Sequence, residues 1–272
     1  MAPGTIGPET GKAIDWTPKR LAMDPHAFDC ARYGPYCVGP QVRGGKFGAV
    51  NLALRPGCDR VLEVERILVQ GDDDQGGDGV GARLLEQLNH CVGLIHPHIA
   101  LIEGAGMQDG CPYIVRGHVL GRTLSDLVSD GFAPPPEVVA GIVYSVAQGL
   151  YFLGEAGPEP TTCLVGGVDE ELVLLGWDGS IRLLGAGFAF LRGARDQRAD
   201  IEALGALAAR LDLDVAQEID ESAHLHEASV RIRKRHPEAC ARRQQLVGGW
   251  LRREDGEGCD AFRRFFGLEV LQ

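Results

Sequence analysis

The sequence has little positive charge, no long apolar run and no cysteine spacing typical of a metal site. Its 272 residues include 27 Lys and Arg against 38 Asp and Glu, a formal net charge of -11 at pH 7. Nucleic-acid binders and membrane-surface proteins need positive charge facing phosphates, so this balance argues against both classes. No apolar run approaches the roughly 20 residues of a membrane-spanning helix, and the N-terminus lacks the charged-then-apolar layout of a signal peptide. We therefore expect a cytoplasmic protein with no nucleic-acid partner and no membrane insertion.

The eight cysteines contain no C-x-x-C pair and are spread over predicted strands and helices. C-x-x-C is the spacing that many structural zinc sites use, so the sequence does not predict such a site. We interpret the cysteines as reduced thiols that serve as small hydrophobic side chains. They are Cys30, Cys37, Cys58, Cys91, Cys111, Cys163, Cys240 and Cys259.

Positive charge is concentrated near the C-terminus. Between Ser229 and Arg253, eight Lys and Arg stand against one acid, Glu238, so this segment carries +7 and the rest of the chain -18. A solvated helical face explains such a segment, and docking onto an acidic partner or a neighbouring copy is the alternative. The candidate partner-binding residues are Arg231, Arg233, Lys234, Arg235, Arg242 and Arg243.

The first half of the chain predicts a small sheet with one helix. Residues 1–34 are rich in Pro, Gly and Thr, which predicts a flexible leader with one short helix near Arg20 to Phe28. Runs of strand-forming residues follow, and residues 80–94 have apolar side chains at helical spacing. The predicted antiparallel strands are residues 36–42, 48–54, 60–69, 99–104 and 112–119.

The second half is predicted to be mainly helical. An apolar stripe that follows the triple proline Pro134 to Pro136 predicts a long buried helix. Residues 172–175 and 180–184 predict a hairpin, and residues 200–211 predict an amphipathic helix. Together the two halves indicate an α+β fold, and the 44% hydrophobic content is enough for one large domain or two packed lobes.

Several short segments resemble the signature motifs of Hanks-type serine/threonine protein kinases, in the order that the family has them. Residues 43–50, RGGKFGAV, are similar to the glycine-rich loop G-x-G-x-F-G-x-V. This stretch keeps Gly45 and Gly48, and Arg43 replaces the first glycine. Residues 94–100, LIHPHIA, resemble the H-P-N-I-V stretch of the same family.

Two further segments place charged residues where the family has its nucleotide site. Residues 60–68, RVLEVERIL, are similar to the strand that bears the V-A-I-K lysine, and Glu65 falls on that lysine. Residues 113–124, YIVRGHVLGRTL, resemble the hinge and the G-x-T-L signature that follows it. In this register Arg116 falls on the gatekeeper, at the back of the adenine pocket.

The longest resemblance covers residues 172–189, LVLLGWDGSIRLLGAGFA, which are similar to N-I-L-L-x-x-D-G-x-V-K-L-x-D-F-G-x-A. Read in register, the metal-binding aspartate of Asp-Phe-Gly becomes Gly185. The catalytic aspartate of H-R-D falls on Gly167, and the metal-binding asparagine falls on Leu172. Residues 199–205, ADIEALG, resemble the S-D-I-Y-A-L-G that begins the central helix of the kinase C-lobe.

The resemblance implies a bilobal protein-kinase-like fold. Residues 1–34 would be the leader, residues 35–120 an N-lobe with a five-stranded antiparallel sheet and one helix, and residues 121–272 a truncated, mainly helical C-lobe. Only residues 188–199 separate the Gly-Ala-Gly motif from Asp200. Kinases use roughly 30 residues or more there for the activation loop, so we expect no platform for a peptide substrate.

The residues at the kinase positions cannot perform phosphoryl transfer. That reaction needs a lysine on the phosphates, oxygen ligands for Mg²⁺ and an acidic base. Glu65 places negative charge beside the phosphates, and neither Gly185 nor Leu172 offers a side-chain oxygen to a cation. Gly167 cannot accept a proton. The sequence therefore predicts a pseudokinase without cofactor or metal, a protein-binding scaffold or allosteric regulator in bacterial signalling or assembly.

Two alternatives remain open. The protein could be a nucleotide-binding sensor without catalysis, or an enzyme with rewired phosphoryl or nucleotidyl transfer that uses carboxylates of residues 169–171. His90, Cys91, His96 and His98 could form a metal site. The alternative is a packing role, which the H-P-N-I-V resemblance implies for His96. The partner would be an active serine/threonine kinase or a signalling or structural complex, and self-association is also open.

The last expectation concerns the vacant nucleotide cleft. Glu65 and Arg116 are predicted to lie side by side on neighbouring strands. A buried guanidinium needs a partner, so we predict an Arg116 to Glu65 ion pair that fills the site of ATP. Glu86 is the competing partner, and a side chain of Arg116 that extends into solvent is the alternative to any pair.

Overall fold

A six-stranded antiparallel sheet forms the N-terminal half of the protein. The computed structural model describes residues 31–58, 60–68, 78–159, 162–194 and 196–255. The order of strands in the sheet is β1-β2-β3-β4-β6-β5. The strands are Ala31–Tyr33 (β1), Tyr36–Gly44 (β2), Ala49–Leu54 (β3), Leu62–Arg66 (β4), Ile102–Gln108 (β5) and Cys111–Gly117 (β6).

The predicted count of five strands is wrong by one, because β1 lies inside the segment that the sequence assigned to a leader. Tyr33 pairs with Tyr36 across a two-residue turn in which Gly34 has a φ of 54°. A three-residue strand is too short to give a periodic pattern, so the sequence carried no signal for it. The remainder of the predicted leader, with its short helix, lies outside the described residues.

One helix, α1 (Asp78–Cys91), packs against this sheet, close to the predicted residues 80–94. Its buried residues Leu84 and Leu88 form a small core with Ile67 and Ile114 of the sheet half. Phe188, from the C-terminal half, completes that core. The helix is therefore fastened between the sheet and a segment of the other lobe.

The C-terminal half is helical around a small three-stranded sheet. The predicted hairpin and both predicted helices are present, and a short strand near residue 122 joins the hairpin in the order β7-β8-β9. The strands are Gly121–Thr123 (β7), Val173–Gly176 (β8) and Ile181–Leu183 (β9). The helices are Leu124–Ser129 (α2), Pro136–Glu155 (α3), Arg198–Arg210 (α4), Ala216–Asp220 (α5), Leu225–Arg235 (α6) and Pro237–Glu254 (α7).

Helix α3 is the central element of this half, and it is the one described helix that is long and apolar enough to cross a membrane. The sequence analysis found no such run. However, 67% of its most apolar window is buried inside the protein. Contacts with α4, α6 and α7 explain that burial, so the apolar composition suits a core helix.

One described cysteine is not a reduced thiol, contrary to the interpretation from the sequence. Cys37 is disulfide-bonded, whereas the other described cysteines, Cys58, Cys91, Cys111, Cys163 and Cys240, are free. A disulfide requires two cysteines to be close in space, and spacing along the chain did not indicate that closeness.

Candidate functional site

Strands β4 and β6 of the large sheet bring three charged side chains together. In this antiparallel pair Glu63 lies opposite Arg116, and Glu65 lies opposite Ile114. Residues opposite each other share a face of the sheet, and so do residues two apart on one strand. Glu63, Glu65 and Arg116 therefore share one face. All three are buried.

Arg116 and Glu65 form the ion pair that the sequence predicted. Arg116 Nη1 donates to Glu65 Oε2 at 2.6 Å, and the two side chains are 1% and 4% exposed. Arg116 Nη2 donates to the backbone oxygen of Leu184 at 2.9 Å. The side chain does not extend into solvent, and its carboxylate partner is Glu65 rather than Glu86. These are the two residues that the sequence analysis aligned with the V-A-I-K lysine and the gatekeeper.

Glu63 has partners of its own. Arg43 Nη2 donates to its Oε2 at 2.7 Å, and His118 Nδ1 lies 2.6 Å from its Oε1. Burial alone would raise the pKa of Glu63, but the hydrogen bond from His118 and the charge of Arg43 lower it to about 2. The carboxylate is therefore ionised at neutral pH. The sequence analysis named Arg43 and missed this cluster, although Glu63 and Glu65 have the i, i+2 spacing of one strand face.

The glycine-rich loop folds inward over these charges. Phe47 N donates to Glu65 Oε1 at 3.4 Å, and Leu68 N donates to the backbone oxygen of Phe47 at 2.8 Å. The Phe47 ring packs on the Phe188 ring, with centroids 4.2 Å apart. The loop is thereby tied to both halves of the protein.

The two retained glycines of this loop are explained by packing. A Cβ at Gly45 would lie 2.4 Å from Glu65 Oε1, and a Cβ at Gly48 would lie 1.9 Å from the backbone oxygen of Arg66. Neither position has room for a side chain. Their retention needs no phosphate ligand to explain it.

Lys46 of the glycine-rich loop forms ion pairs with two carboxylates of the C-terminal half. Its Nζ lies 2.9 Å from Asp169 Oδ2 and 3.2 Å from Glu171 Oε2. The hydrogen bond with Asp169 is the main cause of the raised pKa of Lys46. The glycine-rich loop thus bonds directly to the acidic segment of residues 169–171.

The carboxylates of that acidic segment are bound to cations of the protein itself. Asp169 also pairs with Arg192 at 3.4 Å, and Glu170 pairs with Arg210. Within the ranges that the structure describes, no group of three or more His, Cys, Asp or Glu side chains is arranged to hold a metal ion. His90, Cys91, His96 and His98 therefore do not form such a group. The His96 ring instead stacks on Phe152, with ring centroids 4.7 Å apart.

Gly185, which the sequence analysis aligned with the Asp-Phe-Gly aspartate, has no space for a carboxylate. A Cβ at Gly185 would lie 2.8 Å from Val165 Cγ1 and 3.1 Å from Leu172 Cδ1. Leu172, at the asparagine position, is itself 2% exposed and part of the main core. The two residues that the sequence analysis aligned with the Mg²⁺ ligands of kinases are therefore part of an apolar contact.

The backbone of residues 165–167, which the sequence analysis aligned with H-R-D, is held in place by Asp200. Its Oδ1 accepts from Gly167 N at 2.6 Å, and its Oδ2 accepts from Val165 N at 3.3 Å. Burial raises the pKa of this carboxyl to about 6 against the lowering effect of these bonds. The sequence analysis placed Asp200 at a helix start and missed this role, since a side-chain bond to a distant backbone leaves no pattern along the chain.

The candidate partner-binding residues divide into two groups. Arg231 pairs with Glu227, and Arg235 pairs with Glu218, so their charge is largely balanced within the protein. The others have no carboxylate partner in the described part of the chain. Of these, Arg233, Lys234 and Arg242 are exposed, whereas Arg243 is half-buried.

No protein-family model matches the chain. It is 24% identical over 121 residues to a probable serine/threonine-protein kinase of Clostridium perfringens. That alignment covers 44% of the chain and 17% of the relative, so the chain spans about a sixth of the length of the curated relative it matches.

Solved structures of the Mycobacterium tuberculosis PknI kinase domain are similar in fold. A double mutant of that domain matches with a TM-score of 0.62 and 21% identity, covering 75% of this chain and 97% of that one. A second structure of the domain matches with a TM-score of 0.56 and 21% identity, covering 87% and 98%. The mixed α and β architecture described above is therefore that of a protein-kinase domain.

Proposed function

The chain has the fold of Hanks-type serine/threonine protein kinases, and on that premise we propose that it is a pseudokinase that acts by binding other proteins. The observation that carries the proposal is the buried ion pair of Arg116 and Glu65, the residues that the sequence analysis aligned with the gatekeeper and the V-A-I-K lysine. A fold that keeps its packing while its cleft is filled by its own side chains is retained for its surfaces.

The ion pair opposes nucleotide binding energetically. ATP could enter only if Arg116 and Glu65 separated, and breaking a buried pair costs about 3–5 kcal/mol because it leaves uncompensated charges. This cost corresponds to a loss of about two to three and a half powers of ten in the affinity for ATP. The inward fold of the glycine-rich loop adds to this cost, since Phe47 would have to leave its contact with Phe188.

The absence of metal ligands opposes turnover. Phosphoryl transfer requires Mg²⁺ held by side-chain oxygens and a base at the acceptor hydroxyl. Gly185 has no space for a carboxylate, Leu172 is apolar and Gly167 has no side chain. Helix α4 begins at Arg198, which leaves ten residues after Gly187 for an activation segment.

The proposal is tested by titrating the full chain with ATP in the presence of Mg²⁺, and with ATP in EDTA, while the melting temperature is recorded. A ligand that binds the native state must raise that temperature. We expect no Mg²⁺-dependent rise and no transfer of the γ-phosphate to protein or peptide. Micromolar binding that depends on Mg²⁺ but lacks transfer would replace the proposal with a nucleotide sensor. Transfer itself would replace it with an enzyme.

The partner surface of this pseudokinase is proposed to include the exposed basic residues. Arg233, Lys234 and Arg242 lack a carboxylate partner among the described residues, in a protein whose net charge is -11. An acidic surface would complement them, whether it belongs to an active kinase, a signalling or structural complex, or another copy of the chain.

Charge reversal tests that surface. Arg233→Glu with Arg242→Glu should weaken partner binding at low salt, and added salt should weaken binding of the unmodified chain. Arg55→Glu, on an exposed turn of the sheet half, is a control for overall charge. Unchanged binding after the double reversal would remove the basic segment from the interface and leave the absence of catalysis unaffected.

A further inference from the structure

A cavity of about 470 Å³ lies outside the cleft between the lobes. Its walls come from the loop before β5, the turn of the β8–β9 hairpin and the middle of helix α7. Its charged residues are Arg182, Arg242, Arg243 and Asp178. None of the residues that the sequence analysis aligned with kinase site positions lines this cavity, so the cavity is separate from the site described above.

The cavity is positively charged within an acidic protein. Three arginines and one aspartate give it a net charge of +2. Among the described residues, no carboxylate lies within ion-pair distance of these three guanidiniums, whereas Arg116 and Arg192 each have one. Asp178 is directed into the hairpin turn, where its Oδ1 accepts from Ser180 N at 2.8 Å. The positive charge is therefore left for a ligand.

One of these guanidiniums is held in a fixed position. Arg243 Nη1 donates to the backbone oxygen of Cys240 at 2.7 Å, and Nη2 lies 3.3 Å from His98 Nε2. Its guanidinium carbon lies 5.5 Å from the centroid of the Tyr144 ring. A donor that is already oriented loses little freedom when a ligand binds.

His98 is suited to hold Arg243 because it is neutral. Its Nδ1 lies 3.2 Å from the backbone oxygen of Ile181 and donates to it, which leaves Nε2 as an acceptor for Arg243. Burial lowers the pKa of His98 to about 4, and the charges of Arg243 and Arg182 contribute. Arg182 Nη1 donates to the backbone oxygen of His96 at 3.3 Å, so a second guanidinium is also anchored.

Size and charge together define the ligand class. A volume of 470 Å³ lies in the range of small-molecule sites, about 300–1,000 Å³, and a bare inorganic anion would leave most of it empty. A phosphate monoester carries about -1.5 to -2 at pH 7, which matches the net charge of the cavity better than a single carboxylate does. Guanidinium forks suit phosphate oxygens, and the amides of Gln244 and Gln245 line the same space. We propose that this cavity binds a small molecule that carries a phosphate monoester.

The test is calorimetric titration of the full chain at low salt with ribose 5-phosphate, and with ribose as the uncharged comparison. We expect binding of the phosphate ester alone, and a loss of about tenfold or more in affinity for Arg242→Gln and Arg182→Gln. Arg233→Gln, an exposed arginine outside the cavity, should bind as the unmodified chain does. Arg242 is exposed, so its substitution should leave the fold intact and keep the test decisive.

Two outcomes would overturn the proposal. The first is no binding up to about 10 mM, or equal affinities for the cavity variants and Arg233→Gln, because either result leaves only non-specific attraction. The second comes from a phosphoserine peptide titrated in parallel. Binding of the peptide without binding of ribose 5-phosphate would assign the cavity to a phosphorylated protein partner.

Discussion

Arg116 lies directly opposite Glu63 across strands β4 and β6, yet its guanidinium donates to Glu65, the diagonal neighbour. Glu63 is held instead by Arg43 from the glycine-rich loop and by His118. Each buried carboxylate thus has its own cationic or hydrogen-bonding partner. The two clusters are adjacent but separately satisfied, and loss of one partner should not be compensated by the other.

The Arg116 to Glu65 pair should show strong coupling in a double-mutant cycle. Arg116→Met and Glu65→Gln should each lower the free energy of unfolding by about 3–5 kcal/mol, because each leaves the other group buried without its partner. The double variant should lose clearly less than the sum. Chemical denaturation of the four proteins measures this coupling.

An exposed pair provides the control for that cycle. Arg60 lies 3.0 Å from Glu103 but is 62% exposed, so Arg60→Met should cost at most about 1 kcal/mol. Additive effects of Arg116→Met and Glu65→Gln would mean that the pair contributes no coupling in solution.

Asp200 should be the carboxylate on which the backbone of residues 165–167 depends. Asp200→Ala leaves the backbone donors of Val165 and Gly167 buried without an acceptor and should cost about 2–4 kcal/mol of unfolding free energy. Glu202→Ala, on the exposed face of the same helix, should change it by less than about 0.5 kcal/mol. Equal effects of the two substitutions would contradict the anchoring role.

An aspartate introduced at Gly185, the position aligned with the Asp-Phe-Gly aspartate, should lower the stability of the protein without creating a Mg²⁺ site. Gly185→Asp would force a side chain against Val165 and Leu172 and bury a charge, so we expect a loss of about 2–4 kcal/mol and no Mg²⁺ binding. Gly79→Asp, where a Cβ meets nothing within 4 Å, is the matched control. A stable Gly185→Asp variant that binds Mg²⁺ would show that the apolar contact can open.

Acid should destabilise the protein through His98. Its folded pKa of about 4 lies below the ordinary value of 6.5, so its contribution to stability is complete above pH 6.5 and is lost as pH falls toward 4. The full effect is at most about 3 kcal/mol. His98→Gln keeps a donor for Ile181 and an acceptor for Arg243 but cannot titrate, so its stability should fall less over this range.

The comparison of the two proteins isolates His98 from other titrating groups. Asp200, whose pKa is raised to about 6, contributes in the opposite direction, and this contribution is present in both proteins. Parallel stability curves between pH 4 and 6.5 would mean that the pKa of His98 is not lowered in the folded state.

The sequence predicted the fold and one feature of the site because both depend on order and register. The kinase-like order of strands and helices was confirmed, and the Arg116 to Glu65 pair followed from two positions on neighbouring strands. The partners of Glu63 were not predicted. Alternation along β4 indicates a polar face, which is ordinarily solvated, and only the inward fold of the loop from Arg43 to Gly48 buries it.

Packing of distant segments explains the remaining differences between prediction and structure. Phe47 and Phe188 are in contact although they are 141 positions apart in the sequence, and no local sequence pattern predicts this contact. The cavity beside Arg243 is formed by three segments that are far apart in the chain. Features of this kind arise from tertiary structure, whereas periodicity and motifs report on local structure.

The bond from Arg116 to the backbone oxygen of Leu184 has a consequence for association. Together with the bridge from Lys46 to Asp169, it joins the two lobes at two places. An apparent affinity is reduced by the fraction of molecules that are not in the competent arrangement. Links of this kind favour one arrangement of the lobes, so we expect a binder that spans both lobes to lose little affinity to selection of that arrangement.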